Sequence, residues 1–175
     1  MPDMEVKMIY RKDRYLRGGD HSPFLAAGYP AIRFSEPTEI FKWQHQDVRV
    51  EDGIQYGDLP EYVDYDYTAK VTKINAANLA SLALAPALPQ NVGMIASRLE
   101  NDTRLKWSPN TEPDLAGYMV VWRESSAPFW QYSQSVGLDT TTTIEKFSKD
   151  NYLFGVMAVD KDGHFSPAVY PAPTR

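Results

Sequence analysis

The sequence predicts an α/β segment with an incomplete sheet over residues 1–86, followed by an all-β sandwich over residues 87–175. Three observations lead there. The chain changes character at Pro86-Ala87-Leu88-Pro89, where two prolines within four residues stop a helix and favour an extended connector. Before that point, strand, helix and strand patterns succeed one another and a long helical pattern closes the segment. After it, short alternating stretches are divided by turn residues.

In the first segment Val6, Met8 and Tyr10 alternate with Lys7, Ile9 and Arg11, a strand pattern. The polar stretch from Asp13 to Gly19 follows. Asp20 or Ser22 can then cap a short helix with Pro23 in its first turn, and Gly28 sits where a left-handed C-terminal residue belongs. Pro30 to Phe34 reads as a second strand, so the helix-bearing connection suggests a βαβ unit with parallel strands. From Asp64 to Ala85 the apolar residues Tyr67, Val71, Ile74, Leu82 and Ala85 recur at helical spacing. Asp64 suits the N-cap, and Asp66 suits the positive end of the helix dipole. Roughly twenty residues at about 1.5 Å each make a helix long enough to cross one face of a sheet. One βαβ unit and one helix cannot hide both faces of a parallel sheet, so the rest of that sheet must come from elsewhere.

The second segment offers seven strand candidates: Asn91 to Arg98, Arg104 to Trp107, Tyr118 to Glu124, Trp130 to Ser135, Thr140 to Glu145, Tyr152 to Asp160 and Ala168 to Tyr170. Asn101-Asp102, Ser108-Pro109-Asn110, Lys149-Asp150-Asn151 and Asp160-Lys161-Asp162-Gly163 punctuate them. Short strands at this density, with period-two alternation in Tyr152, Phe154, Val156 and Ala158, describe a β-sandwich.

Composition excludes several function classes. A net charge of -5 with no clustered basic face argues against nucleic-acid binding, and Arg11-Lys12-Asp13-Arg14 with Arg17 reads as a solvated loop. There is no cysteine, so disulfides and thiolate metal sites are ruled out. No apolar run approaches the ~20 residues of a membrane helix, and Met1 to Arg11 lacks the apolar core of a secretory signal. Three histidines, His21, His45 and His164, leave little material for a metal site.

Two resemblances add to this reading. Leu88-Pro89-Gln90-Asn91-Val92, Leu105-Lys106-Trp107, Asp114 to Trp122, and Tyr152 to Asp160 with Gly163 and Ser166 are similar to successive strands of a fibronectin type III domain, an immunoglobulin-like sandwich. The resemblance makes Tyr152 the tyrosine-corner residue and packs Trp107 across the sheets.

The first segment resembles the C-terminal portion of zinc aminopeptidases of the bacterial leucyl aminopeptidase and glutamate carboxypeptidase type. The residues that carry this are Gly19-Asp20-His21-Ser22-Pro23-Phe24, Ala27-Gly28-Tyr29-Pro30-Ala31, Glu36, Gln44-His45-Gln46-Asp47 and the helix ending Asn75 to Ala83. It implies part of a three-layer peptidase sheet, a hydrolase with zinc and a peptide substrate in the parent enzyme, and a secreted or periplasmic location. It makes His45 a metal ligand and sets Asp20 and His21 beside the active site. The family spaces that His four before the acid, where this chain has Trp43. The family's other ligands would precede Met1, so this chain alone is expected to bind no zinc and to be inactive.

Plainer readings stand beside these. His45 is equally read as a polar loop histidine, Asp20 as a helix cap, and Glu36 and Glu39 as surface carboxylates. The acidic run from Asp47 to Asp66 fits no EF-hand spacing. Trp130, Phe129 and Tyr132 suit either a protein or carbohydrate contact or edge-covering packing. The alternative function is therefore a non-catalytic protein- or carbohydrate-binding module on a degenerate peptidase remnant.

Overall fold

The structure, a computed structural model, describes residues 4–97 and 99–174. The chain forms two compact units, Met1–Thr72 and Lys73–Arg175.

The first unit is sparse in regular structure. α1 (His21–Ala26) ends as expected in a left-handed glycine, Gly28, at φ 87°, with the Tyr29 N–H donating to Phe24 O at 2.9 Å. Asp20 occupies the N-cap position but makes no side-chain capping bond. β1 (Arg49–Glu51) and β2 (Ile54–Tyr56) form an antiparallel hairpin in which Arg49 faces Tyr56. Its turn is Asp52-Gly53, both at positive φ (50° and 74°), the mirror-image turn that matches strand twist. A 3-10 turn (Pro60–Tyr62) precedes α2 (Tyr65–Leu84), whose N-cap is Asp64; its Oδ1 accepts the Tyr67 N–H at 2.9 Å.

The expected α/β fragment is not present. Val6 to Tyr10 and Pro30 to Phe34 form no strand, and residues 4–85 contain no parallel ladder among the described residues. Alternation alone does not make a strand. A strand needs a neighbouring strand in register, and among the described residues neither segment joins a sheet. α2 has the predicted extent, but none of its residues is buried.

The second unit is a β-sandwich. β3 (Gln90–Ile95), β4 (Thr103–Ser108), β5 (Leu115–Glu124), β6 (Tyr132–Gly137), β7 (Thr141–Ile144), β8 (Tyr152–Asp160) and β9 (Ala172–Thr174) make two sheets, ordered β7-β4-β3-β9 and β6-β5-β8. Alternate residues face inward, as a two-residue period requires. Leu105 and Trp107 of β4, Tyr118, Val120 and Trp122 of β5, and Phe154, Val156 and Ala158 of β8 form the core with Val92 and Ile144. Trp107 meets Tyr118 across the sheets edge-on, ring centroids 5.4 Å apart.

The buried tyrosine tied to the backbone is Tyr118, whose hydroxyl accepts the Asn110 N–H at 2.7 Å. Tyr152, the residue expected in that role, packs edge-on against Phe147 at 4.9 Å. Gly117 is buried where β5 passes β6: a Cβ there would lie 2.5 Å from the Gly137 carbonyl oxygen, so no larger residue fits. Arg98, the expected end of the first sandwich strand, lies outside the described residues.

The β8 exit turn is organised by Asp160. Its carboxylate accepts the N–H of Asp162 (3.0 Å) and of His164 (2.8 Å) and meets His164 Nδ1 at 2.8 Å. Burial would raise its pKa, but the His164 N–H, the His164 ring and the Asp162 N–H outweigh it and hold the carboxyl below its ordinary value of 3.8. A depressed folded pKa contributes stability above the unfolded value, lost as pH falls through the folded one. Asp160→Asn should therefore melt lower than the parent at pH 7. The gap should close as pH falls below about 3.8, followed by circular dichroism. A gap that persisted undiminished at pH 2 would contradict this role.

Candidate functional site

The site residues expected from sequence lie in the first unit, on loops tied together by ion pairs. Glu39 is the centre of the larger group. Its carboxylate, with only 9% of the side chain exposed, pairs with the Arg14 guanidinium and with Arg17 Nη2 at 2.9 Å. Gln44 Nε2 donates to it at 2.8 Å, and Arg17 Nη2 donates to Gln44 Oε1 at 2.7 Å. Segments far apart in sequence are thus locked around one carboxylate. The residue next to Gln44 is His45. Arg14 and Arg17, expected in a solvated loop, are committed to this network. Glu39 is not a surface carboxylate, whereas Glu36 is exposed.

The smaller group surrounds His21, which is 8% exposed. Its Nε2–H donates to the Lys12 carbonyl at 2.8 Å and lies 3.4 Å from Asp13 Oδ2. Arg33 donates to the Gly18 carbonyl and stands 3.7 Å from Asp13 Oδ2. Gly18, Gly19, Asp20, His21, Ile32 and Arg33 line an open cleft. A Cβ at Gly19 would stand 3.0 Å from His21 Nδ1 and 3.2 Å from the Arg33 side chain, so a larger residue would require these side chains to shift. The Arg14 N–H, at 2.7 Å, is the chief reason that the Asp13 carboxyl is held below its ordinary range; the charges of His21, Arg33 and Arg14 add to it against the opposing effect of burial. Three buried atoms of this group, Asp13 Oδ2, Arg14 Nη2 and His21 Nδ1, have no hydrogen-bond partner.

His45 is exposed, at φ 56°, at the end of the turn Phe41–His45. Trp43, which stands where the resembled family has its histidine, is stacked on Tyr62 with ring centroids 4.1 Å apart. It anchors the turn to the 3-10 helix. Asp20 stays exposed at the start of α1.

The structure therefore brings His21 together with Asp13 and Arg33, and does not gather His45, Asp20 and His21 into one donor set. A zinc ion takes about four ligands. Among the described residues no group of three His, Cys, Asp or Glu side chains stands close enough to hold a metal. The described donors do not by themselves fit a zinc centre.

Sequence reading missed Asp13 and took Glu39 for a surface carboxylate because nothing local marks Asp13 as the meeting point of His21 and Arg33, or Glu39 as that of Arg14 and Arg17. It also missed the β1–β2 hairpin, for which Asp52-Gly53 was the available signal.

In the sandwich, Tyr132 stacks on Trp122 at 5.6 Å and adjoins Phe147 at 5.1 Å. Trp130 lies over Gly155, under the Arg123 guanidinium and beside Tyr170. Both rings pack on the sandwich, and Tyr132 remains 39% exposed. Phe129 is exposed. No helix among the described residues is long and apolar enough to cross a membrane.

The chain is similar to curated proteins named probable zinc metalloprotease. One from Pyrenophora tritici-repentis is 54% identical over 97% of this chain and 35% of its own length. Another from Leptosphaeria maculans is 53% identical over 97% of this chain and 39% of its length. A third, from Pyricularia oryzae, is 49% identical over 98% of this chain and 35% of its length. The chain thus spans between a third and two-fifths of these relatives. No protein-family model matches it. Among solved structures, it is similar to an Fn3-like protein from Clostridium thermocellum, with TM-score 0.40 and 21% identity over 52% of this chain and 96% of that one. Similarity to titin domains A168–A170 has TM-score 0.42, with 21% identity over 51% of this chain and 32% of that one.

Proposed function

We propose that this chain is a portion of a longer zinc-dependent exopeptidase of the aminopeptidase kind. Residues 1–86 contribute to its catalytic domain, and residues 87–175 are an accessory sandwich. The observation that carries the reading is the 54% identity, across 97% of the chain, with a protein named probable zinc metalloprotease, of which the chain spans only 35%. In this reading His45 supplies one imidazole towards the metal, and the remaining donors come from polypeptide outside this chain. Asp20 and His21 sit on the substrate side, with Glu39 holding the loop next to His45. The enzyme works outside the cytoplasm on peptides.

The test uses aminoacyl p-nitroanilides. The 175-residue protein alone should show no chelator-sensitive hydrolysis. The longer protein should show it, and His45→Ala in that protein should lower kcat/KM by at least about 100-fold, since even residues behind a metal ligand cost about 10- to 100-fold. Clear turnover by the 175-residue protein, abolished by chelator and by His45→Ala, would overturn the assignment of the missing ligands to another segment.

A further inference from the structure

We infer that the connector between α2 and the sandwich is a clamped strap. Asn110 and Glu112 grip both backbone groups of Ala87, so the end of α2 turns with the sandwich instead of swivelling on it. The strap and the grip both belong to the second unit, which includes residues 73–84 of α2.

A module on a short exposed connector moves relative to what precedes it unless something stops the backbone torsions between them. Over residues 85–89 the sequence supplies most of that restraint. Pro86 and Pro89 fix their own φ, and Ala85 and Leu88, each preceding a proline, are confined to extended conformations. Pro89 is also fully buried where the chain enters β3. Ala87 is the one residue of the connector that neither is a proline nor precedes one, so a swivel would have to occur there.

The grip falls on that residue. The Ala87 N–H donates to Glu112 Oε1 at 2.8 Å, and Asn110 Nδ2 donates to the Ala87 carbonyl at 2.9 Å. Asn110 Nδ2 also reaches the same Glu112 oxygen at 3.2 Å, which closes a ring of hydrogen bonds. Ala87 is exposed, so water could serve its N–H and C=O, yet two side chains take them instead. The Glu112 carboxylate is held in turn. Burial would raise its pKa, but its own N–H, the Asn110 side chain and the N–H groups of Ala87 and Thr111 outweigh that and keep it below its ordinary value of 4.5.

The loop that carries the grip is anchored at two further points. The Asn110 N–H donates to the hydroxyl of the buried Tyr118 at 2.7 Å, which ties the loop to the core. Lys161 Nζ donates to the Pro113 carbonyl at 2.8 Å, which ties it to the β8 exit turn. A swivel at Ala87 must therefore break the ring or pull the loop from both anchors.

Amide nitrogen relaxation of the 175-residue chain tests this. The Ala87 and Leu88 amides should have order parameters of about 0.85, as rigid backbone does, and residues 73–84 should share one rotational correlation time with β5 and β8. An order parameter at Ala87 below about 0.6, or a separate correlation time for residues 73–84, would overturn the inference. Asn110→Ala combined with Glu112→Ala should bring Ala87 below about 0.6 and uncouple residues 73–84, with the amides of β5 and β8 unchanged. If Ala87 keeps its parent value in that variant, the prolines alone fix the strap and the grip has no role.

Glu112→Ala by itself leaves the contact between Asn110 and Tyr118 in place, so it reads the grip even if the double variant unfolds. It should speed exchange of the Ala87 amide by at least about tenfold, the worth of a hydrogen bond to a charged group. Unchanged exchange would count against the grip. None of these readouts depends on peptidase activity, so the strap and the proposed catalytic function stand or fall separately.

Discussion

Leu105→Ala should remove about 3–4 kcal/mol from the stability of the sandwich. Leu105 is completely buried at the centre of β4, opposite Met94 on β3 and Thr142 on β7. Its position between two paired strands leaves no neighbouring loop that can collapse into the space, so the cavity persists and its cost adds to the lost transfer free energy. Against a typical total of about 5–15 kcal/mol for a domain, the loss is large enough to populate the unfolded state near body temperature. Urea titration followed by tryptophan fluorescence reads it directly, since Trp107 and Trp122 lie in the same core. Leu138→Ala is the control: Leu138 is 65% exposed and should change stability by less than about 0.5 kcal/mol. A Leu105→Ala loss no larger than that of the control would mean that the core does not close around β4.

Glu39→Ala should cost the first unit about 2–3 kcal/mol of local stability. Removing one member of a buried ion pair leaves uncompensated charge, worth about 3–5 kcal/mol when burial is complete. Here the Arg14 and Arg17 side chains remain 27% and 24% exposed, and water recovers part of that cost. The effect should be confined to the loops that Glu39 joins, so the measurement is amide exchange at residues 13–18 and 39–45. Exchange there should rise by roughly 30- to 150-fold, the same free energy converted at about 1.4 kcal/mol per factor of ten. Glu36→Ala, at an exposed carboxylate, should leave both loops as they are. If Glu39→Ala behaves like Glu36→Ala, the network around Glu39 does not hold the turn that ends in His45.

The sandwich was legible because a buried face writes its period into the sequence. Tyr118, Val120 and Trp122 alternate on β5, and Phe154, Val156 and Ala158 alternate on β8. The last strand was placed a few residues early, at Ala168 to Tyr170, for a comparable reason. Val169 does pair with Val156, but β9 proper is Ala172–Thr174, and Pro173 within it reads as a strand breaker. Proline is tolerated there because β9 is the edge of its sheet. The first segment misled the same kind of reading. Val6 to Tyr10 alternates as well as many strands do, but period says nothing about whether a neighbouring strand is present in the chain. Long-range charge pairing was illegible for a different cause. Nothing in the sequence beside Asp13 or Glu39 marks it out, and only the folded path reveals which distant cations meet them.

The closure of the sandwich by β9 has a mechanical consequence. β9 runs parallel to β3, pairing Gly93 with Ala172, Met94 with Pro173 and Ile95 with Thr174. The entry to β3 and the exit from β9 are therefore at opposite ends of this pair. A pull on the two ends of the sandwich slides the strands past each other and loads their hydrogen bonds together, where an antiparallel closure would peel them one at a time. The pair is short, and Pro173 contributes no N–H, so the clamp consists of few bonds, among them Ala96 N–H to Thr174 O at 2.8 Å and Thr174 Oγ1–H to Met94 O at 3.2 Å. Under tension the sandwich should resist up to the strength of that small patch and then release in a single step.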